Sequence, residues 1–166
     1  MNLSNDIINL FKLFNKEGFK LYIIGGAVRD YLLNRHVEDY DFATNATPSD
    51  MIRFLDGYVI DAYQAKLGSI KIHINNQVFE ITTFRKEYGV RDLRYPLEIE
   101  FVNRLKDDVL RRDFTINSLA YSVDDGVVDC LSGIEDLNNH LIKFNKDSYT
   151  SVLEDPIRII RALRFS

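Results

Sequence analysis

Residues 21–44 read LYIIGGAVRDYLLNRHVEDYDFAT, and the rest of the chain is read outward from this stretch. The apolar run Leu21–Ile24 reads as a short buried strand. Gly25 and Gly26 follow it and precede a helical pattern over residues 27–33. Strand, glycines and helix, in that order, point free backbone N–H groups at an anion. Asp39 and Asp41 come next, with Tyr40 between them, in a segment (residues 38–42) that reads as a second strand. Side chains two apart on a strand share a face, roughly 6–7 Å between Cα atoms. Two carboxylates so placed can hold one or two hard divalent cations.

Around this stretch the pattern alternates. Leu3, Ile7, Leu10, Phe11 and Phe14 recur at helical spacing, with Gly18 as a stop. Thr47-Pro48-Ser49-Asp50 combines an N-cap, a proline at the first helical position and an acid three residues on, so a helix starts there. Residues 69–74 and 77–84 predict a hairpin turning at Asn75-Asn76. The polar, aperiodic residues 85–96 read as a mobile loop, and 98–102 as a returning strand. A helical pattern covers 105–121, a short strand 127–130, and helical spacing resumes over 134–141 and 152–165. This mixture predicts an α+β or α/β catalytic domain followed by the start of an all-helical region. The helical pattern at the end has no stop signal, which is expected of the front part of a longer protein.

With 166 residues, 46% of them hydrophobic, the chain can bury one domain, or one domain and part of a second. No apolar run reaches the length of a membrane span. One cysteine, Cys130, rules out a disulfide framework and agrees with a reducing, cytoplasmic setting. A net charge of −4 argues against a general nucleic-acid coat while leaving room for local basic patches. His36, His73 and His140 lack zinc-ligand spacing.

The candidate site residues each have an ordinary alternative. A Gly-Gly pair is most often only a turn, and neither a Gly-x-Gly-x-x-Gly nor a P-loop pattern occurs. Arg29, however, stands in the first helical turn, where a cation is disfavoured, so it calls for a bound anion or an acidic partner. Acidic pairs usually sit in solvent. Asp39 and Asp41 flank a mostly apolar segment, though, where two like charges are costly without a cation. Glu80 interrupts the apolar run Val78-Phe79-Glu80-Ile81-Thr82, either as a third carboxylate or at an exposed edge position. Arg112, Asp113 and Asn117 are either a solvated charged face or a phosphate and ribose contact, Asp113 and Asn117 sharing a face as an i, i+4 pair. Asp155 and Arg158 are either a capped, salt-bridged helix start or the donors and acceptors that read a base edge.

Together these strings are more specific than apart. Gly-Gly-Ala-Val-Arg-Asp (25–30), Asp-Tyr-Asp (39–41), Ala43-Thr44 and Thr47-Pro48 resemble the first motif of class II CCA-adding enzymes, tRNA nucleotidyltransferases related to bacterial poly(A) polymerases. Residues 80–85 (EITTFR) resemble that family's third-carboxylate strand, and 111–120 (RRDFTINSLA) its ribose-recognition motif. Asp129, Gly133 and Asp136-Leu137 match its next motif, and 154–158 (EDPIR) its base-reading motif. Cys130 and Leu131 stand where the family usually has a proline and an aromatic, and Lys143 where an arginine is more usual.

The resemblance implies an α+β, polymerase-beta-like head over residues 1–145, its small mixed sheet flanked by helices, with the beginning of a helical neck over 146–166. It implies Mg²⁺ on Asp39 and Asp41, Glu80 assisting at the primer end, and the triphosphate on Gly25, Gly26 and Arg29. Arg112, Asp113 and Asn117 would serve ribose and phosphates. Asp155 and Arg158, with Arg161 among the nucleotide-binding residues, would select cytosine or adenine. The implied reaction is transfer from CTP and ATP to the tRNA 3′-hydroxyl. A poly(A) polymerase, a CC-only or A-only enzyme, and a nucleotide-binding piece without turnover are the alternatives. Residues 64–74 lack the arginine-rich insertion associated with the first of these.

Overall fold

The computed structural model describes residues 1–92 and 95–165. Helix α1 (Asn5–Lys16) begins where the Ser4 side chain accepts the Ile7 N–H, and it buries one stripe, Ile7, Leu10, Phe11 and Phe14. Strand β1 (Leu21–Ile24), buried at all four positions, leads into α2 (Gly26–Leu32). After β2 (Asp41–Thr44), α3 (Pro48–Phe54) starts with the expected capping box, Thr47 and Asp50 each bonding the other's backbone N–H. Strand β3 (Val59–Asp61) and a 3₁₀ turn (Ala65–Leu67) lead to the expected hairpin, β4 (Ser69–Ile74) and β5 (Gln77–Thr83).

Among the described residues, the loop expected over 85–96 gives way to strands on both sides of its centre. Arg85–Arg91 forms β6, paired antiparallel with β7 (Tyr95–Phe101), which starts upstream of the expected 98–102 strand. Neither face of this ribbon is covered by a layer that demands apolar side chains, so its composition hid the strands. Leu93 and Arg94 lie outside the described residues, as does Ser166.

The helix expected over 105–121 is a single short α4 (Leu105–Val109). Phe114 through Ala120 are buried without a break, which an amphipathic helix cannot accommodate. The chain instead makes a 3₁₀ turn (Thr115–Asn117) and strand β8 (Ala120–Ser122). Strand β9 (Gly126–Val128), α5 (Gly133–Asn138), α6 (Ser148–Glu154) and α7 (Ile157–Phe165) complete the chain. The helical stretch expected over 152–165 divides at Asp155-Pro156, where the Asp155 side chain accepts the Ile157 N–H.

Seven strands form one sheet in the order β3-β4-β5-β2-β1-β8-β9, with β2 and β5 parallel and every other pair antiparallel. The two-residue period sends Leu21, Ile23, Phe42, Phe79 and Ile81 toward α1, α2 and α3, where Phe14 meets Phe54 edge-on at 4.9 Å. Tyr22, Ile24 and Ala43 face the other way, toward Phe84 and Val109. Asp41 and Glu80 follow the same period onto that second face, clear of the helical layer. Among the described residues no helix is long and apolar enough to cross a membrane.

Candidate active site

The turn between β1 and α2 requires glycine. Gly25 has φ +78° and ψ −133°, a backbone region that side-chain-bearing residues avoid. Its N–H is not free for an anion, since it donates to Leu119 O at 3.0 Å, and its carbonyl accepts from Val28 and Arg29. The amides ahead of the first intrahelical bond belong to Gly26 and Ala27. Arg29 finds the acidic partner its position called for, donating to both Asp30 oxygens at 3.0 Å and to Asn117 Oδ1 at 2.6 Å. Its guanidinium also lies 4.8 Å from the centre of the Phe165 ring.

Strand β2 begins at Asp41 rather than at residue 38, so Asp39 precedes it. Ile24 is the last β1 residue to pair, opposite Asp41, because the chain turns away at Gly25. Asp39 therefore has no strand partner and is not held by a pleat. Glu80 is register-matched with Asp41 across the parallel β2–β5 pair. It faces Lys71 across β4 and accepts from Ser69 Oγ at 2.6 Å. The Asp41 carboxyl is raised above its ordinary range, first by burial and then by Glu80, with Arg112 pulling the other way and Asp39 adding to the rise. Among the described residues no three acidic, histidine or cysteine side chains gather into a ready-made metal cluster.

Facing these acids is a basic wall organised by Asp108, a fully buried residue. Asp108 Oδ1 accepts from Arg111 Nε at 2.9 Å and Arg85 N at 3.1 Å. Its Oδ2 accepts from Arg112 Nη2 at 3.0 Å and Nε at 3.2 Å. Burial pushes the Asp108 carboxyl up, but Arg112 and Arg111 outweigh it, and the net shift is down. Arg111 also reaches Glu87 Oε1 at 3.2 Å, which ties the β6–β7 ribbon to this wall. Asp108 precedes Arg111 by three residues and Arg112 by four, the spacing at which side chains meet along a helical face.

Asp113 and Asn117 are brought together as their spacing suggested, though by a turn and not a helix, with Asn117 Nδ2 donating to Asp113 Oδ1 at 3.3 Å. Asp113 Oδ2 lies 3.1 Å from Arg161 Nη2 but out of line, and it makes no hydrogen bond. The turn is braced from below. Thr115 Oγ1 donates to Asp136 at 2.6 Å, and Asp129 accepts the N–H groups of Leu131, Gly133 and Ile134. That cap forms with Cys130 and Leu131 in place. At Gly133 a Cβ would fall 2.3 Å from Thr115 O, so only glycine fits. Asn145, which the sequence reading overlooked, donates to Val109 O, Arg112 O and Ser118 Oγ and pins the whole segment.

Helix α7 supplies the remaining wall. Arg158 is buried, donates from Nη2 to Arg111 O at 3.2 Å, and leaves Nη1 without a hydrogen bond. Asp155, Arg158 and Arg161 line the same cavity as Gly25, Gly26, Arg29, Asp39, Asp41, Arg112, Asp113 and Asn117. Its volume is about 700 Å³. Arg111, Lys146, Glu154, Arg164 and Phe165 line it too and were not singled out from sequence as site residues. Glu80 is absent from this cavity. It lines a second cleft of about 580 Å³, with Lys71, Asn76 and Gln77, and Asp39 and Asp41 are common to both.

A polar cavity of this size, with carboxylates at one wall and arginines at the other, suits a polyanionic ligand that carries a cation with it. Among the described residues, seven lysine and arginine side chains line it against eight carboxylates, so a bare polyanion would meet a slight excess of like charge. Comparison with known proteins agrees. Residues 21–143 match the family described as poly A polymerase head domain. The CCA-adding enzyme of Lactobacillus gasseri is 42% identical over 156 residues, 94% of this chain and 39% of that protein. The CCA-adding enzyme of Staphylococcus haemolyticus is 38% identical over 163 residues, 98% of this chain and 40% of that protein. Among solved structures, the Bacillus stearothermophilus CCA-adding enzyme in complex with CTP superposes with a TM-score of 0.84 at 28% identity, covering 98% of this chain and 39% of that one. A tRNA nucleotidyltransferase complexed with a primer tRNA and an incoming ATP analog gives 0.74 at 31% identity, covering 94% and 44%. The chain thus spans about two fifths of the length of the curated relatives it matches. With nearly three quarters of its residues inside the family match, and the matched segment supplying both the carboxylates and the arginine wall, this chain belongs to the poly A polymerase head domain family.

Proposed function

We propose that this chain transfers nucleotides from CTP and ATP to the 3′-hydroxyl of tRNA, with residues 1–145 as the nucleotidyltransferase head and 146–166 as the beginning of a helical neck. The observation that carries this reading is the single cavity in which Asp39 and Asp41 face Arg112, with two buried polar atoms on its walls, Asp113 Oδ2 and Arg158 Nη1, that have ion-pair neighbours in Arg161 and Glu154 but no hydrogen bond among the described residues. Relatives named CCA-adding enzyme, and neighbours solved with CTP or with primer tRNA and an ATP analog, support it.

The residues present fit a hard divalent cation. Both Asp39 and Asp41 offer oxygen ligands, and the Asp41 carboxyl is raised first by desolvation and then by the Glu80 charge, both of which a bound cation would offset. We assign Mg²⁺ to Asp39 and Asp41, where it would neutralise the triphosphate and make the attacking hydroxyl more acidic. Gly26 and Ala27 present backbone amides to the phosphates beside Arg112. Asp113 Oδ2 accepts a ribose hydroxyl proton. Arg158 donates and Asp155 accepts along the base edge, a pattern that suits cytosine and adenine, each with a ring-nitrogen acceptor beside an amino donor. Uracil and guanine present the reverse arrangement. The acceptor strand approaches through the second cleft, past Glu80 and Lys71, so that its terminal hydroxyl meets the α-phosphate at Asp39 and Asp41. Arg29, already paired with Asp30, stiffens the glycine turn as well as facing the cavity.

The test is incubation of tRNA lacking its 3′ end with this chain, Mg²⁺ and single nucleotides, followed by sequencing of the termini. Added C residues are expected with CTP, and C followed by A once CTP and ATP are supplied together, with no incorporation of U or G. Runs of A would select the poly(A) polymerase alternative, and C alone a CC-adding enzyme. Binding of CTP and ATP without incorporation would select a nucleotide-binding role.

A further inference from the structure

The basic wall contains an acid that does not itself line the cavity. Asp108 is fully buried, and its two oxygens accept the Nε of both Arg111 and Arg112, the Arg112 Nη2 and the Arg85 backbone N–H. Arg111 commits Nη1 to Glu87. Among the described residues, Nη1 of Arg112 and Nη2 of Arg111 make no hydrogen bond, on side chains that line the cavity and are 20% and 15% exposed. Arg111 and Arg112 follow Asp108 by three and four residues, positions that lie on either side of it along one helical face, and both guanidiniums turn back onto its carboxylate just past the end of α4 at Val109. The cluster of Arg85, Arg111, Arg112, Asp108 and Glu87 holds three guanidiniums against two carboxylates, one positive charge in excess.

We propose that Asp108 is a positioning residue for nucleotide binding. It grips Arg111 and Arg112 by their inner edges so that the outer edges meet the β- and γ-phosphates of the nucleoside triphosphate, without touching the ligand itself. This rests on the nucleotide reading above. A carboxylate that merely tied α4 to the β6–β7 ribbon would need only the Arg85 N–H. Fixing two guanidiniums in advance removes rotamer freedom that phosphate binding would otherwise have to overcome.

The test is calorimetric titration of the 166-residue chain with CTP, CDP and CMP in Mg²⁺, for the parent, Asp108→Asn and Arg112→Lys. Asparagine turns one acceptor edge into a donor that opposes the arginine N–H groups. Lysine keeps the charge of Arg112 but cannot be held side-on. Both variants are expected to lose CTP affinity by roughly tenfold or more. CMP affinity should fall by less than about threefold, because no β- or γ-phosphate is there to be gripped. Parent-like CTP binding by either variant would overturn the proposal. So would an equal loss for CTP and CMP, which is the signature of general damage to the fold. Should Asp108→Asn fail to fold, Arg112→Lys alone decides. A parent chain that binds no CTP would overturn the nucleotide reading itself, and the clamp with it.

Discussion

Asp41 ends a strand beside Glu80 and near Asp39, and its carboxyl is raised mainly by burial and by Glu80. A carboxyl whose folded pKa exceeds its unfolded value stabilises the fold only while protonated, and that contribution is lost as pH rises through the folded value. Asp41 is exposed at the head of its strand, so solvent screens the resulting cost and leaves it small at neutral pH. Asp41→Asn is expected to melt higher than the parent at pH 7, the difference fading as pH falls toward the unfolded value of 3.8. The same variant should transfer no nucleotide. Mg²⁺ should raise the melting temperature of the parent alone. A lower melting point at pH 7 would count against the crowding of charge inferred here. Gly133 makes the opposite case, a residue needed only for fit. Its Cβ-less approach to Thr115 O supports the turn that carries Asn117. Gly133→Ala should cost about 2 kcal/mol or more in urea denaturation.

Elements with one clear amphipathic stripe were legible in the sequence. Helix α1 was readable from Ile7, Leu10, Phe11 and Phe14, α3 from its capping box, and the β4–β5 hairpin from Asn75-Asn76. Phe14→Ala, which removes a fully buried ring packed on Phe54, should cost about 3–5 kcal/mol by denaturant titration. What failed were elements whose surroundings are uniform. The β6–β7 ribbon lies open, so its alternation carries no apolar signal. Residues 114–120 are buried on all sides, so no helical face could be told from its absence. The Asp39–Asp41 pair was read as one strand face because spacing alone cannot register that β1 turns away at Gly25. Asp108 escaped notice because a charged helix reads as a solvated one until the arginines after it are seen to fold back. The candidate site residues were singled out mainly as motif strings, and the grouping of all but Glu80 into one cavity is a property of the fold.

For the molecule as a whole, the cavity is assembled from distant segments, with the glycine turn and carboxylates from residues 25–41 and the arginine wall and Asp113 from 108–117. Helix α7 closes it through Arg158 and Phe165. On the function proposed above, selection among bases would lie on a different element from the chemistry. Arg158→Ala should lower kcat/KM for CTP and ATP by about tenfold or more while narrowing their advantage over UTP and GTP. Competition assays with all four nucleotides check this, and an unchanged preference would move base selection elsewhere. The most direct measurement for the whole scheme is a crystal structure of this chain with Mn²⁺ and a non-hydrolysable CTP analogue. An anomalous peak bridging Asp39, Asp41 and the triphosphate, with Arg112 on the phosphates and Arg158 on the base edge, is the expected result. Metal bound away from those two carboxylates, or a nucleotide lodged outside the cavity, would contradict it.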